Sequence, residues 1–466
     1  MLFIQIDKEE KRSYSRQIYR DIRNKILEGK LEERSRLPST RDLSAELSVS
    51  RNTVLTAYDM LVAEGFVESV PGSGLYVKGG IRVDRGPLLL WDQQTGVLSG
   101  CRIPDDCISF DSGIPALDLF PRNKWNSYVS RAFRDAPVSA LGYDDPQGRP
   151  ELRRMLSAYL KKSRGIDCSP DQILITSGAK QGLTLVAKCL LNSSSEVLIE
   201  DPSNRNVAQI FSYHTKNILP IPVDREGIIT DRLPQNMQPA LLFTTPSHQF
   251  PMGGLLTIGR RLELVDYARR TGCWLIEDDY DSEFRYDGTP LTSLQEIDPG
   301  RVIYIGTFSK ILYPSLRLGY MVLPPSLVPM FREWKRLSDH HSNSVYQLAL
   351  MRFIEDGELE RHIRHMKRVY RKRRETLLEI IQQVFQGRCR IYGEAAGMHL
   401  VLELPGIDFT PELSDQIRSL GVYTVPVEEH ALEKGRHCNQ IILGYSHLSP
   451  GEMEQGLRRI RDGLKL

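Results

Sequence analysis

Lys310 follows a strand-like run, Arg301-Val302-Ile303-Tyr304-Ile305, and stands among groups suited to phosphate: Thr307, Ser309 and, seven residues on, Arg317. A lysine at the end of a buried strand is costly unless its charge is neutralised or used. Short hydroxyl donors and a fork-shaped cation suit a phosphate. An amine beside such a set points to a Schiff-base lysine for pyridoxal 5'-phosphate, against the commoner case of a surface lysine in a loop. Two other stretches add polar groups. Ser177-Gly178-Ala179-Lys180 falls between a strand and a helix, where backbone N–H groups and the helix dipole favour an anion. Glu277-Asp278-Asp279-Tyr280-Asp281 gathers four acids at a strand end. Metal binding is one reading of it. The other is an acid partner for a pyridinium nitrogen, with Tyr280 donating to a ring oxygen. No histidine lies near it in sequence, which weighs against the metal.

The elements that must position these groups are short apolar runs alternating with helical ones. Gln172–Thr176, Glu196–Glu200, Ala240–Thr244, Cys273–Glu277 and Val302–Ile305 read as strands buried on both faces. That pattern gives an α/β domain with a mainly parallel sheet, whose ligand belongs in the crevice at the carboxyl ends of the strands. From about 345 the chain turns to long helices and then a smaller α/β unit, with strands at Gly397–Leu404 and Gln440–Tyr445. Residues 361–374 carry a dense basic run, Arg364, Lys367, Arg368, Arg371, Lys372, Arg373 and Arg374. A solvated helix face is favoured there over a contact with DNA phosphates.

The first eighty residues are of another kind. Ile18, Ile22 and Ile26 mark one helix, Leu43 and Leu47 a second, and Val54, Tyr58, Leu61 and Val62 a third that Ser50 caps. Phe66–Val70 and Leu75–Val77 flank Pro71-Gly72-Ser73-Gly74 as a hairpin wing. Arg51, Asn52 and Thr53 open the third helix as a major-groove reader would; Arg41 and the wing tip Gly72, Ser73 and Gly74 suit backbone or minor groove. A helical interaction module without DNA is the alternative. Residues 80–107 read as a linker, with Leu88-Leu89-Leu90-Trp91 docking on a neighbouring surface.

Composition narrows the class. The 466 residues suggest two or three domains, and a net charge of +2 supplies no field implying nucleic acid or membrane. Seven scattered cysteines without a C-x-x-C argue for reduced thiols in a cytoplasmic protein. There is no signal-like N-terminus and no apolar run of about 18 residues, so no membrane partner is expected.

Leu37-Pro38-Ser39-Thr40-Arg41-Asp42-Leu43, Val49-Ser50-Arg51-Asn52-Thr53-Val54 and Gly72-Ser73-Gly74-Leu75-Tyr76-Val77 resemble the winged helix of GntR-type bacterial regulators. Thr244–Gly253, Glu277–Phe284 and Gly306-Thr307-Phe308-Ser309-Lys310 resemble the fold-type I aminotransferase-like domain of the MocR subfamily, and the likeness covers nearly the whole chain. It implies a winged helix-turn-helix over 1–79 and a pyridoxal phosphate-binding domain over 108–466. That domain has a large parallel-sheet part and a small C-terminal α/β part from roughly 345. Lys310 then forms the aldimine and Asp278 and Tyr280 face the ring. Gly178, Ala179, Lys180, Thr307, Ser309 and Arg317 hold the phosphate. Arg41, Ser50, Arg51, Asn52, Thr53, Gly72, Ser73 and Gly74 meet double-stranded operator DNA. The resemblance implies a head-to-tail homodimer sensing an amino compound or free coenzyme; a working aminotransferase with an accessory DNA-binding domain is the rival, and any chemistry is expected to stop at an adduct or half-reaction. The chain departs from its relatives at four places. Leu55 replaces a base-reading arginine of some members. Asn204 stands for a ring-stacking aromatic and Asn206 for a carboxylate-binding arginine, with Arg205 just before it. Cys438 stands for a second such arginine, with Arg436 two residues earlier.

Overall fold

A computed structural model describes residues 4, 6, 7, 13–80, 107–286 and 292–465. The chain divides into two compact units, Met1–Arg102 and Ile103–Leu466. The linker expected over 80–107, with its Leu88–Trp91 run, lies outside the described residues save for its two ends.

In the first unit, α1 (Tyr14–Leu27), α2 (Thr40–Glu46) and α3 (Arg51–Ala63) precede a hairpin of β1 (Val67–Val70) and β2 (Gly74–Val77). Ile18, Ile22 and Ile26 share one face of α1 and pack with Leu43, Val54, Tyr58, Leu61, Val67 and Val77. Each fully buried side chain of this size contributes about 1.5–3 kcal/mol. Val62, one of the apolar residues that marked this helix, is exposed; neighbours on a helix point in different directions, and Leu61 already holds the core side. Ser39 and Ser50 accept from Asp42 N and Thr53 N, so a capped start fixes each of the two short helices.

The second unit is built on an eight-stranded sheet. Its strands are β3 (Ile173–Thr176), β4 (Glu196–Asp201), β5 (Asn217–Asp224), β6 (Gly227–Ile228), β7 (Leu241–Thr244), β8 (Trp274–Asp279), β9 (Val302–Thr307) and β10 (Gly319–Val322). Their order is β3-β10-β9-β8-β7-β4-β5-β6. β9, β8, β7, β4 and β5 run parallel, while β10 is antiparallel to both β9 and β3. The sheet is therefore mixed rather than wholly parallel. The connection between β9 and β10, residues 308–318, holds no α-helix, whereas a parallel neighbour is usually reached by a helical crossover. β5 escaped the sequence reading because Pro220 and Pro222 interrupt it; near a sheet edge, proline's missing N–H is tolerated.

α4 (Pro150–Arg164), α5 (Ala179–Leu190), α6 (Arg205–Ser212) and α7 (Ile258–Thr271) follow in chain order. Leu183 and Val186 of α5 pack on Ile276, Ile303 and Ile305. Leu156 and Leu160 of α4 share a cluster with Ile175 and Tyr304 on the opposite face, as Leu264 of α7 does with Leu275 and Val302. Side chains alternate along a strand. β8 therefore turns Asp278 to the α5 face with Ile276, and Glu277 and Asp279 to the other with Leu275.

α8 (Glu358–Phe385), roughly 42 Å long at 1.5 Å per residue, joins two cores. Leu359 belongs to the cluster of α4, whereas Leu377, Ile381 and Phe385 belong to that of a smaller antiparallel sheet. That sheet comprises β11 (Arg390–Tyr392), β12 (His399–Glu403), β13 (Val425–Pro426) and β14 (Gln440–Gly444), in the order β11-β12-β14-β13. The basic run lies on α8 and is not one solvated face. Arg371 donates to Tyr286 O at 2.6 Å and Arg374 to Glu394 O at 2.8 Å, while Arg373 donates to Ser446 O. Arg373 and Arg374 tie the helix to the smaller domain and Arg371 ties it to the turn after β8, roles no sequence pattern distinguishes from solvation. Among the described residues no helix is long and apolar enough to cross a membrane.

Candidate functional site

A cavity of about 260 Å³ opens at the carboxyl ends of the parallel strands, where loops after β3, β8 and β9 meet. Ala179, Lys180, Asp278, Tyr280, Thr307, Ser309, Lys310 and Arg317 all line it. Gly178 lies just behind, as the residue before α5, with φ +92°. A Cβ there would come within 3.0 Å of the Arg317 guanidinium, so only glycine lets the two approach without the arginine giving way. Arg317 itself has φ +51° and donates to Ser177 O, which anchors its cation over the first turn of α5. This is the phosphate-suited set expected from sequence, brought together from three loops.

Lys310 reaches across to residues the sequence reading did not single out. Its Nζ donates to Gly113 O at 2.6 Å. A Cβ on Gly113 would lie 2.2 Å from that nitrogen, so the glycine keeps the amine's position open. No spacing linked Gly113 to Lys310, and the φ of +78° that calls for glycine there is visible only in the structure. Burial is the main cause holding the lysine pKa below its ordinary value.

Asp278 faces the same cavity, and its Oδ1 has no hydrogen-bond partner. Burial first and Asp279 second push its carboxyl up to about 7, against the lowering effect of Lys310. The other acids of the cluster have partners away from the cavity's amine, although one oxygen each of Asp279 and Asp281 is also unpaired. Glu277 accepts from Leu294 N and Gln295 N. Asp279 pairs with Arg164 at 2.8 Å and accepts from Tyr304 Oη at 2.5 Å. Asp281 meets His248 Nδ1 at 2.9 Å, and Tyr280 Oη lies 3.0 Å from the same nitrogen. The histidine neighbours that the sequence lacked are thus supplied by the fold: ligand atoms of His248, Asp281 and His399 come within 4.8 Å of one another. His399 Nε2 is 3.0 Å from Pro251 O, and burial pushes its pKa down to about 3, so the ring is neutral.

The far wall is amide rather than cationic. Asn204 Oδ1 accepts from Asn206 N at 3.1 Å and from Asn206 Nδ2 at 2.9 Å, and both side chains line the cavity. Arg205 turns away to Glu429 at 2.7 Å, and Arg436 pairs with Glu433 at 2.9 Å. Arg317 is the one guanidinium among the described lining residues.

These acids make a pH prediction. Glu277, Asp278 and Glu283 are all raised to about 7, with burial the largest cause in each. An unfolded carboxyl titrates near 4, so between 4 and 7 the folded state holds more protons and stability falls as pH rises. Buried neutral histidines act oppositely, but only below about 6.5. Urea midpoints of the ligand-free protein are therefore expected to fall from pH 6.5 through about 7, by at most about 1.4 kcal/mol per pH unit and group, and to level off by pH 8. Asp278→Asn should flatten that fall, and an unchanged slope in the variant would refute the assignment.

The first unit presents a second candidate face. Arg41, Ser50, Arg51 and Asn52 are exposed and Thr53 half-exposed. Arg51 Nε donates to Thr40 Oγ1 at 3.1 Å, which ties the first turn of α3 to α2. Ser50 Oγ and Thr53 Oγ1 lie 2.8 Å apart, their hydroxyls occupied with capping. At the wing, Gly72 and Gly74 take φ of +76° and +122°, and Ser73 Oγ meets Tyr76 Oη at 2.6 Å. Arg36, absent from the sequence reading, is exposed and would lie 3.1 Å from a Cβ at Gly74, adding a cation beside the wing. Leu55 is exposed on α3 without a polar group to offer.

Comparison with known proteins places both units. Residues 105–460 match the aminotransferase class I and II family, and residues 14–77 match the bacterial regulatory proteins of the gntR family. The chain is 36% identical over 460 residues to the HTH-type transcriptional regulator YhdI of Bacillus subtilis, covering 98% of this chain and 97% of that one. It is 33% identical over 467 residues to the probable rhizopine catabolism regulatory protein MocR of Rhizobium meliloti, covering 96% and 92%. Among solved structures it is similar to a kynurenine aminotransferase from Pyrococcus horikoshii in complex with PMP and KYN. That match has 29% identity and a TM-score of 0.72, over 78% of this chain and 91% of that one.

Proposed function

The chain belongs to the MocR-type transcriptional regulators, a gntR-family DNA-binding domain followed by a class I and II aminotransferase domain, and from this premise we propose that occupancy of the strand-end cavity sets its hold on operator DNA. The occupant proposed is pyridoxal 5'-phosphate. The observation that carries the reading is Asp278 Oδ1, an orphaned acceptor in a cavity that also holds an amine and a phosphate-suited set. A protonated pyridine nitrogen is the donor it lacks.

When bound, the coenzyme supplies a carbonyl for covalent attachment and an electron-accepting ring. The chain's own groups do the rest. Lys310 presents the amine, and its lowered pKa raises the neutral, nucleophilic fraction. Gly113 O holds that amine in place. Arg317, Thr307, Ser309 and the N–H groups at Ala179 and Lys180 suit the phosphate ester. Asp278 would keep a proton at the ring nitrogen, and Tyr280, whose Oη lies beside His248 Nδ1, would donate to a ring oxygen.

The effector is either a small amino compound or the coenzyme itself. An amino acid would find no second guanidinium on the described walls, forgoing a charge-assisted pair of roughly 1.5–3 kcal/mol. This supports an amine, a modified amino compound or free coenzyme over 4-aminobutyrate or aspartate. The regulator reading is favoured over an aminotransferase with an accessory DNA-binding domain, because relatives matching over nearly the whole length are named as regulators. As a gntR-family regulator it binds operator DNA. A head-to-tail homodimer in the cytoplasm completes the proposal.

The test is an absorbance titration of the purified protein with coenzyme, then with amines and amino acids. Amines or added coenzyme are expected to change the spectrum. A shift with 4-aminobutyrate at low millimolar concentration would remove the effector argument.

A further inference from the structure

A second cavity, of about 270 Å³, lies on the opposite face of the β8 end, among the C-terminal turn of α4, the turn after β8 and the first turns of α8. It has the liquid volume of roughly nine waters. Five cations line it: Lys162 and Arg164 from α4, Arg285 from the turn, and Arg364 and Lys367 from α8.

Two acids, Glu283 and Glu360, share the lining with these five cations. Lys162 pairs with Glu360 at 2.8 Å and Arg164 with Asp279 at 2.8 Å. Arg364 has no hydrogen bond or ion pair among the described residues. Lys367, one helical turn on, is held below its ordinary pKa by burial and by Arg371 and Arg285, the mark of a crowded set of cations. The remaining acid on the wall, Glu283, is raised to about 7 by burial and by Asp279, and so is only partly charged at neutral pH. Independently, the buried Arg164 keeps an Nε with no hydrogen-bond partner, although its Nη2 meets both Asp279 and Ser247. A buried donor of that kind is rare unless something outside the protein satisfies it.

We propose that this cavity binds a small phosphorylated compound, at a site separate from the Arg317 set of the first cavity. A carboxylate offers two oxygens to one fork, whereas a phosphate monoester offers three terminal oxygens and a dianion, which α4 and α8 can meet together. The basic run on α8 thereby gains a third use: Arg364 and Lys367 serve this ligand, while Arg371, Arg373 and Arg374 serve the fold. The bound anion bridges α4, part of the larger core, to the start of the helix that leads into the smaller one. It also draws on Arg164, the partner of Asp279, and Asp279 is the neighbour of Asp278 on β8. The site is thus built to communicate with the first cavity.

The test uses the full chain loaded with coenzyme and then freed of excess by gel filtration, in phosphate-free buffer, titrated with inorganic phosphate and with glycerol phosphate by calorimetry. Saturable binding is expected, weakened more than ten-fold by the double variant Arg364→Ala/Lys367→Ala and retained in Arg317→Ala. Both replaced side chains reach the surface, so the double variant should keep its far-ultraviolet circular dichroism. Absence of binding overturns the proposal, as does equal binding in the double variant or loss confined to Arg317→Ala. So would absent phosphate binding together with a shallower salt dependence of operator binding in the double variant; those cations would then serve DNA. Coenzyme binding is read separately, by its absorbance, and its failure would leave the loss of phosphate binding in the double variant unchanged, which keeps the two questions apart.

Discussion

Lys310→Ala is expected to abolish the absorbance band of covalently held coenzyme and the borohydride-trapped adduct seen by mass spectrometry. Coenzyme affinity should fall by a hundred-fold or more, since Arg317 and the hydroxyls then act alone. The fold should survive. The substitution removes an enclosed amine whose one direct partner is Gly113 O, and side chains held by a single carbonyl are not pillars of a core. Residual, reversible binding would remain, because the phosphate-suited set belongs to other loops. An unaltered band in the variant would assign the covalent link to another amine, of which Lys180 is the neighbour in the cavity. Operator affinity without ligand should stay within a few-fold of the parent; a large loss would mean that Lys310 acts through the fold instead.

Arg51→Ala and Asn52→Ala should each lower affinity for an operator selected from a random pool by ten- to a hundred-fold, about 1–3 kcal/mol. Both side chains stand exposed on the first turn of α3, and neither contributes to the core beneath it. Only Arg51 has a role in the free protein, its bond to Thr40 Oγ1, so its loss should cost a little stability as well. The salt dependence separates their functions. A base-reading residue lowers affinity for the selected sequence alone, whereas a phosphate contact weakens all sequences and reduces the salt slope by about 1. Unchanged binding in both variants would move the DNA face away from α3.

Much of this protein was legible from sequence for a physical reason: the features concerned are local. The four-residue repeat of α1, the two serine caps, the glycine-built wing and the apolar strands flanked by Gly178 and Lys310 are set by backbone conformation and side-chain period. The order of motifs along the chain then sufficed to resemble a known family. What depended on contacts between distant segments was not legible. The sequence showed four acids within five residues; the sheet turned Asp278 toward an amine and Asp279 toward an arginine, because alternate residues of a strand face opposite sides. It showed no histidine near them; the fold brought His248 and His399 from loops and strands far along the chain. Gly113 met Lys310 across nearly two hundred residues. The basic run of α8 looked uniform, yet three of its cations satisfy backbone carbonyls, two of them in the smaller domain, while Arg364 and Lys367 open onto a cavity. Residue types and spacing determined which elements form and which chemistry they can carry. Tertiary structure decided which charges share an enclosed space, since burial and neighbouring charge are properties of the packed chain and of no segment within it.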